Sequence, residues 1–153
     1  MNYEEAMALA IDVAKTAANT SGDVPVGAVI LNNKNKVVAT GSNERELNHD
    51  PTAHAEIVAI RKASEAIGSW RLDEHTLVVT LEPCAMCAGA IVQSRIPRVV
   101  FGAWDEKAGA VGSIWDILRD PRTLNKPEVI PGVLATECAL LLQSFFKSQR
   151  KGN

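Results

Sequence analysis

Four residues carry the chemistry that this sequence can be asked about. Cys84 and Cys87 stand three apart after Pro83 in the stretch Leu81 to Cys87, LEPCAMC, and His54 and Glu56 stand two apart further upstream. On a helix, residues i and i+3 share a face, so two thiols with this spacing can reach one metal ion. Pro83 suits a first helical position, where its missing N–H is no loss. The partial positive charge of a helix N-terminus favours thiolate over thiol. A Cys-x-x-Cys pair alone reads equally as a redox dithiol, half of a structural zinc site or part of a catalytic one. Adding His54 gives one nitrogen and two sulfurs, a zinc-type donor set. Three protein ligands leave a fourth position for water, which distinguishes catalytic from structural zinc. Glu56 then has a role, because zinc lowers the pKa of water from ~15.7 to roughly 7 and a neighbouring carboxylate can carry the proton.

Other assignments compete. A structural site needs a fourth protein ligand, and Cys138, His49 and His75 are the candidates. Cys138 falls on an apolar helical face and reads as a buried core cysteine. His49 falls in a loop and His75 just before a strand, and both read as surface residues. Glu82 is a second candidate base, although a carboxylate there also suits interaction with the nearby helix terminus.

The elements around these residues must bring them together. Small apolar residues at helical spacing (Ala6, Ala10, Val13, Ala14, Ala17) predict a helix over 3–18, broken by Gly22 and Asp23. Val24 to Leu31 reads as a strand buried on both faces, Asn32 to Asn35 as a hairpin loop, and Lys36 to Thr40 as an antiparallel edge strand. Gly41 to Asn48 reads as a polar loop. Asp50-Pro51 predicts the start of a second helix, with Ala53, Ile57, Ile60 and Ile67 toward the sheet and an end near Gly68. Thr76 to Thr80 is a third strand, followed by the cysteine helix to about Ser94 and a fourth strand, Arg98 to Gly102. That strand–helix–strand unit makes the third and fourth strands parallel. Residues 103–127 predict a long loop with one or two short helical turns, of a length that is often functional. Val129-Ile130 is a short fifth strand. Leu134 to Arg150 is a last helix with Cys138, Leu141, Leu142 and Phe145 on one face. The whole predicts an α/β fold, a three-layer α/β/α sandwich around a central mixed five-stranded sheet. The histidine and cysteine helices, packed on one side, would bring their N-termini together beyond the strand ends, where open α/β sheets bind ligands.

Bulk properties limit the alternatives. A chain of 153 residues, 46% hydrophobic and 22% charged, suits one compact domain, 1–153, with a real core. Its net charge of −2 excludes a general basic nucleic-acid coat, so any RNA contact must be local. The N-terminus has acidic residues early and no signal-peptide pattern. The apolar runs are too short to span a bilayer, and three cysteines make no disulfide framework, so the expected location is cytoplasmic, with no membrane.

The joint pattern His54-Ala55-Glu56 and Pro83-Cys84-Ala85-Met86-Cys87 matches the signature of zinc nucleobase deaminases. The likeness extends through VPVGAV, Asn43, DPTAHAE, TLEPCAMCAGA, RVVFGA and Phe145-Phe146, covering nearly the whole chain. On these residues the chain resembles the bacterial tRNA-specific adenosine deaminases. The resemblance implies a cytidine-deaminase-like fold, one zinc ion per subunit, a homodimer, and a tRNA anticodon stem-loop as partner. The implied reaction converts the wobble adenosine to inosine by attack of zinc-activated hydroxide at C6. Carried over by residue, His54, Cys84 and Cys87 are the metal ligands and Glu56 shuttles protons. Asn43, the Ala55 N–H, Val26 and Asp105 bind the substrate nucleotide. Candidate RNA contacts are His49, Asp50, Lys107, Phe146 and Arg150. Trp104, beside Asp105, is less typical of the family.

Read on their own, several of these residues have simpler roles. Asn43 is a loop asparagine of the kind turns favour. Phe145 and Phe146 suit core or dimer packing, although one can stack on an unpaired base. Lys147, Arg150 and Lys151 make a basic end that suits phosphate. The apolar stretch Met86 to Val92 extends beyond one core and hints at a subunit contact. Two rival functions remain: a deaminase of free guanine or cytosine on the same metal site, and a non-catalytic zinc-stabilised binding module with four protein ligands.

Overall fold

A computed structural model describes residues 1–151. Gly152, Asn153 and the side chain of Lys151 lie outside the described residues. In chain order the elements are α1 (Tyr3–Ser21), β1 (Gly27–Leu31), β2 (Val37–Ser42), α2 (Arg45–Asn48), α3 (Ala55–Ile67), β3 (Thr76–Leu81), α4 (Ala85–Gln93), β4 (Arg98–Ala103), β5 (Glu128–Ile130) and α5 (Ala135–Lys151). The sheet order is β2-β1-β3-β4-β5. β1 is antiparallel to β2 and β3, whereas β3, β4 and β5 run parallel, so the sheet is mixed as expected.

Successive strand residues point to opposite faces, and the two faces carry separate cores. Ala28 and Ile30 of β1, Leu77 and Val79 of β3, and Val99 and Phe101 of β4 pack with Ala55, Ala59 and Ala63 of α3 and Ala88 and Ile91 of α4. Val29, Leu31, Val78 and Val100 pack on the other side against α1 and Cys138 of α5. This is the three-layer α/β/α sandwich. The histidine helix and the cysteine helix share one layer.

Several boundaries differ from the sequence reading, each for a local reason. The strand expected from Val24 joins the ladder only at Gly27. Pro25 has no N–H to give a ladder, and the carbonyls of Val24 and Val26 instead accept from the side chain and backbone of Asn43. The expected loop 41–48 contains the end of β2 and the short helix α2. Buried Asp23 accepts from the N–H groups of Glu46 (2.7 Å) and Leu47 (3.2 Å), capping α2 from a distant part of the chain. Asp50 does not open α3. Its carboxylate accepts from the N–H and hydroxyl of Thr52, and α3 begins at Ala55 with His54 as N-cap. The buried stripe of α3 is therefore Ala55, Val58, Ala59 and Ala63, and Ile67 stays exposed. α4 also starts later, at Ala85, with Cys84 rather than Pro83 at its boundary. Residues 104–127 form turns and isolated bridges with no helical turn. At Gly41, a Cβ would lie 2.4 Å from the Ala55 carbonyl oxygen. Glycine there lets the N-terminus of α3, and His54 with it, sit directly against β2.

Candidate active site

The site lies where α3 and α4 begin. His54 is the N-cap of α3 and Cys84 the N-cap of α4, with Cys87 one turn on. The Nδ1 of His54 is 3.5 Å from the Sγ of Cys84 and 3.5 Å from that of Cys87. The three donor atoms all lie within 4.8 Å of one another, and among the described residues no fourth His, Cys, Asp or Glu belongs to the group. A tetrahedral zinc with bonds of ~2.0–2.1 Å to nitrogen and ~2.3 Å to sulfur separates those atoms by about 3.5 Å. The donor set therefore fits zinc in both chemistry and spacing. Cys138 is in the core on the far face of the sheet and cannot be a fourth ligand. The Nδ1 of His75 is engaged with the Asp73 carbonyl.

The electrostatics agree with a metal-binding pair. Hydrogen bonding from Cys87 and the nearby His54 pull Cys84 down to about 4, against the cost of burial. The Cys87 thiol moves upward, because it is hydrogen-bonded to Cys84 and buried. Contact with Cys84 raises His54. Glu56 is buried in the first turn of α3, 4% exposed. Burial pushes its carboxyl up to about 7, where it can both take and give a proton near neutrality.

A cavity of about 200 Å³ opens onto this group. Val26, Asn43, His54, Ala55, Glu56, Cys84 and Asp105 line it, so the structure brings together most of the residues expected to meet substrate. Cys87 lies behind, fully buried. Ala55 is the first residue of α3, and its N–H is an orphan helical donor. The Asn43 amide donates to the Val24 carbonyl and accepts from the Arg45 N–H, each at 3.2 Å. That fixes its orientation and leaves one N–H and one lone pair for a ligand.

The expected RNA contacts do not line this cavity. His49 caps α2 in the left-handed region, and Lys107 is exposed nearby on the 104–116 loop. Asp50 is held by Thr52 and pairs with Arg61 at 3.7 Å. Phe146 is 47% exposed and meets half-buried Phe145 edge-on at 5.4 Å. Arg150 is exposed near the end of α5. Sequence reasoning missed Arg45 and Ala108, which line the cavity, and Asp23, which positions Arg45 through α2. The only available signal for Arg45 was its place two residues after Asn43. Glu82 was expected beside a helix terminus. Instead it is buried and accepts from N–H groups of the loop after β4, as described below.

A sequence model of the cytidine and deoxycytidylate deaminase zinc-binding region matches residues 1–103. The chain belongs to that zinc-binding deaminase family, and within it to the tRNA-specific adenosine deaminases. It is 46% identical over 134 residues to the tRNA-specific adenosine deaminase of Bacillus subtilis (strain 168), covering 88% of this chain and 83% of that one. Its likeness to the enzyme of the same name from Haemophilus influenzae is 45% over 148 residues, covering 97% and 85%. A solved structure from a study of A-to-I editing by tRNA:A34 deaminases at the wobble position of transfer RNA superposes with a TM-score of 0.85. It is 42% identical and covers 90% of this chain and 99% of its own. Zinc is the family's metal, and His54, Cys84 and Cys87 are the group able to hold one ion here.

Proposed function

We propose that this protein hydrolytically deaminates the wobble adenosine of a tRNA anticodon loop to inosine, releasing ammonia. The observation that carries the chemistry is a buried carboxyl, Glu56, on the same helical turn as one member of a zinc-fitting His/Cys/Cys group, both facing one cavity. Likeness to the A34 deaminases supports the choice of tRNA and of adenosine over a free base. In this reading His54, Cys84 and Cys87 hold the ion. Bound there, zinc supplies Lewis acidity that makes water a nucleophile near neutral pH.

The chain's own residues do the rest. Glu56 takes a proton from the attacking water and delivers it to a ring nitrogen of the adenine as the C6–O bond forms. It then transfers the second proton to the exocyclic amine, which leaves as ammonia when the C–N bond breaks. Asn43 and the Ala55 N–H hold the edges of the base, and Val26 packs against it. Asp105 sits on the loop side, near where the ribose and flanking nucleotides must pass. The cavity has room for one base, so the adenosine must leave its stack to reach Glu56.

His49, Asp50, Lys107, Phe146 and Arg150 are the wider RNA-contacting set in this proposal. The anticodon stem-loop is the recognised portion, and the chain acts as one deaminase domain in the cytoplasm. No described helix is long and apolar enough to cross a membrane. A homodimer is part of the same reading, supported by apolar side chains left at the surface of the α4 layer, Met86 at 37% and Trp115 at 56% exposure. Incubation with an anticodon stem-loop bearing a wobble adenosine tests the proposal. Inosine and ammonia should form together, and turnover confined to free guanine or cytosine would overturn it.

A further inference from the structure

The loop after β4 supplies one wall of the cavity through Asp105 and Ala108, yet its backbone belongs to no helix or strand. Ala110, Val111 and Leu118 anchor it in the core, and four of its hydrogen bonds converge on one buried side chain. Glu82, 2% exposed, stands between the end of β3 and the Cys84 N-cap. Its Oε1 accepts from the Asp105 N–H at 2.9 Å, and its Oε2 from the N–H groups of Val111 (2.9 Å) and Ser113 (3.0 Å). The Ser113 hydroxyl donates to Oε1 as well. Both carboxylate oxygens are thus spent on the loop. Gly109 is fitted to the same group: a Cβ there would lie 2.2 Å from Oε1. The Ala110 N–H donates to the Pro83 carbonyl at 2.8 Å, so the loop is tied to both residues that precede Cys84.

We infer that Glu82 is a positioning residue that sets the distance between the loop wall of the substrate cavity and the wall formed by His54, Ala55 and Glu56. Its neighbour in chain is the helix junction that carries the cysteines, and its acceptors are all used by the loop. It therefore transmits the position of the rigid β3–α4 corner to Asp105 and Ala108. A carboxylate is required because four donors converge on it. A Gln side chain has one acceptor oxygen and would turn an N–H toward backbone N–H groups. The role rests on the deaminase reading for its consequence, since a displaced wall meets the entering nucleotide first. Loss of fit of about 1 Å at such a wall can cost about a hundredfold.

Backbone hydrogen exchange on the zinc-loaded protein tests this independently of activity. In Glu82→Gln, and more mildly in Ser113→Ala, exchange should quicken at Asp105, Val111 and Ser113 while α3 and α4 keep their protection. Zinc per chain should stay at the wild-type value. On a stem-loop substrate, KM should rise about tenfold or more in Glu82→Gln with kcat changed less. Gly109→Ala, which drives a methyl into the same carboxylate, should reproduce the pattern. Unaltered exchange in the loop, exchange quickened uniformly across the fold, or loss of zinc in step with activity would overturn the role. Failure of wild-type protein on RNA would refute the deaminase reading and leave the exchange result to judge Glu82.

Discussion

Replacing Glu56 by Gln separates catalysis from stability with opposite signs. The substitution keeps the shape of the side chain and removes its proton-carrying capacity. Two proton transfers depend on this carboxyl, one to the ring and one to the leaving amine. A single positioned acid or base contributes about 10²–10⁴-fold, so losing both roles should cost at least about 10⁴ in kcat, or about 5 kcal/mol. Stability should move the other way. Burial raises the carboxyl to about 7 from the ordinary 4.5, so its charged form is disfavoured in the fold. For a group raised in the folded state, the favourable contribution is complete below the unfolded value and is lost as pH rises through the folded one. Above pH 7 the charge therefore costs the metal-free protein about 3 kcal/mol, and Gln removes that cost. The assay pairs single-turnover inosine formation, zinc per chain and denaturant unfolding of chelated protein from pH 4 to pH 8. A variant that retains activity within about tenfold of wild type, or one that is inactive only because it has lost its zinc, refutes the reasoning.

Three further outcomes follow from the packing. Gly41→Ala places a Cβ 2.4 Å from the Ala55 carbonyl oxygen and 2.6 Å from the Ala59 nitrogen, so it should destabilise by about 1–3 kcal/mol and lower Tm by several degrees, with an unchanged Tm arguing against that close approach. Cys138 is 1% exposed and burial pushes its thiol up to about 11, so at pH 8 only about one in a thousand is thiolate. In chelated protein an alkylating reagent should therefore label half-exposed Cys84 first, and prior labelling of Cys138 on mass spectrometry would contradict the placement. For Glu82, burial alone would raise the carboxyl, but hydrogen bonds from Ser113, Asp105 and Val111 outweigh it and hold it below the ordinary value. Its stabilisation is then complete above about pH 4.5 and lost as pH falls through the lowered value, so the stability gap between wild type and Glu82→Gln should narrow in acid; a gap independent of pH would count against an ionised carboxylate.

The metal group was legible in the sequence because its logic is local. Cys84 and Cys87 are three apart on one turn, His54 and Glu56 two apart, and each pair opens a helix packed on the same face. The strand order was legible in part for the same reason: two short apolar strands, Thr76–Leu81 and Arg98–Ala103, joined by one helix, leave few topologies. What escaped notice depends on partners distant in the chain. Asp23 caps a helix that starts more than twenty residues later, and Glu82 organises a loop about as far away. No spacing rule marks such carboxylates in advance. Asp50-Pro51 misled for the opposite reason: Thr52, two residues on, offered its carboxylate a nearer partner than any helical N–H. The loop 103–127, expected to carry one or two short helical turns, carries none; its order comes from Ala110, Val111 and Leu118 in the core and from the hydrogen bonds it makes to buried Glu82.

The central claim is that Glu56 and the His54, Cys84 and Cys87 group act on an adenine presented by RNA. Its most direct test is a side-by-side measurement with zinc-loaded protein. The substrates are an anticodon stem-loop with a wobble adenosine, the same loop with that adenosine replaced by guanosine, free adenosine and free guanine. The account predicts ammonia and a single new inosine from the first alone. Equal or faster ammonia release from free guanine, with the stem-loop unchanged, would contradict it.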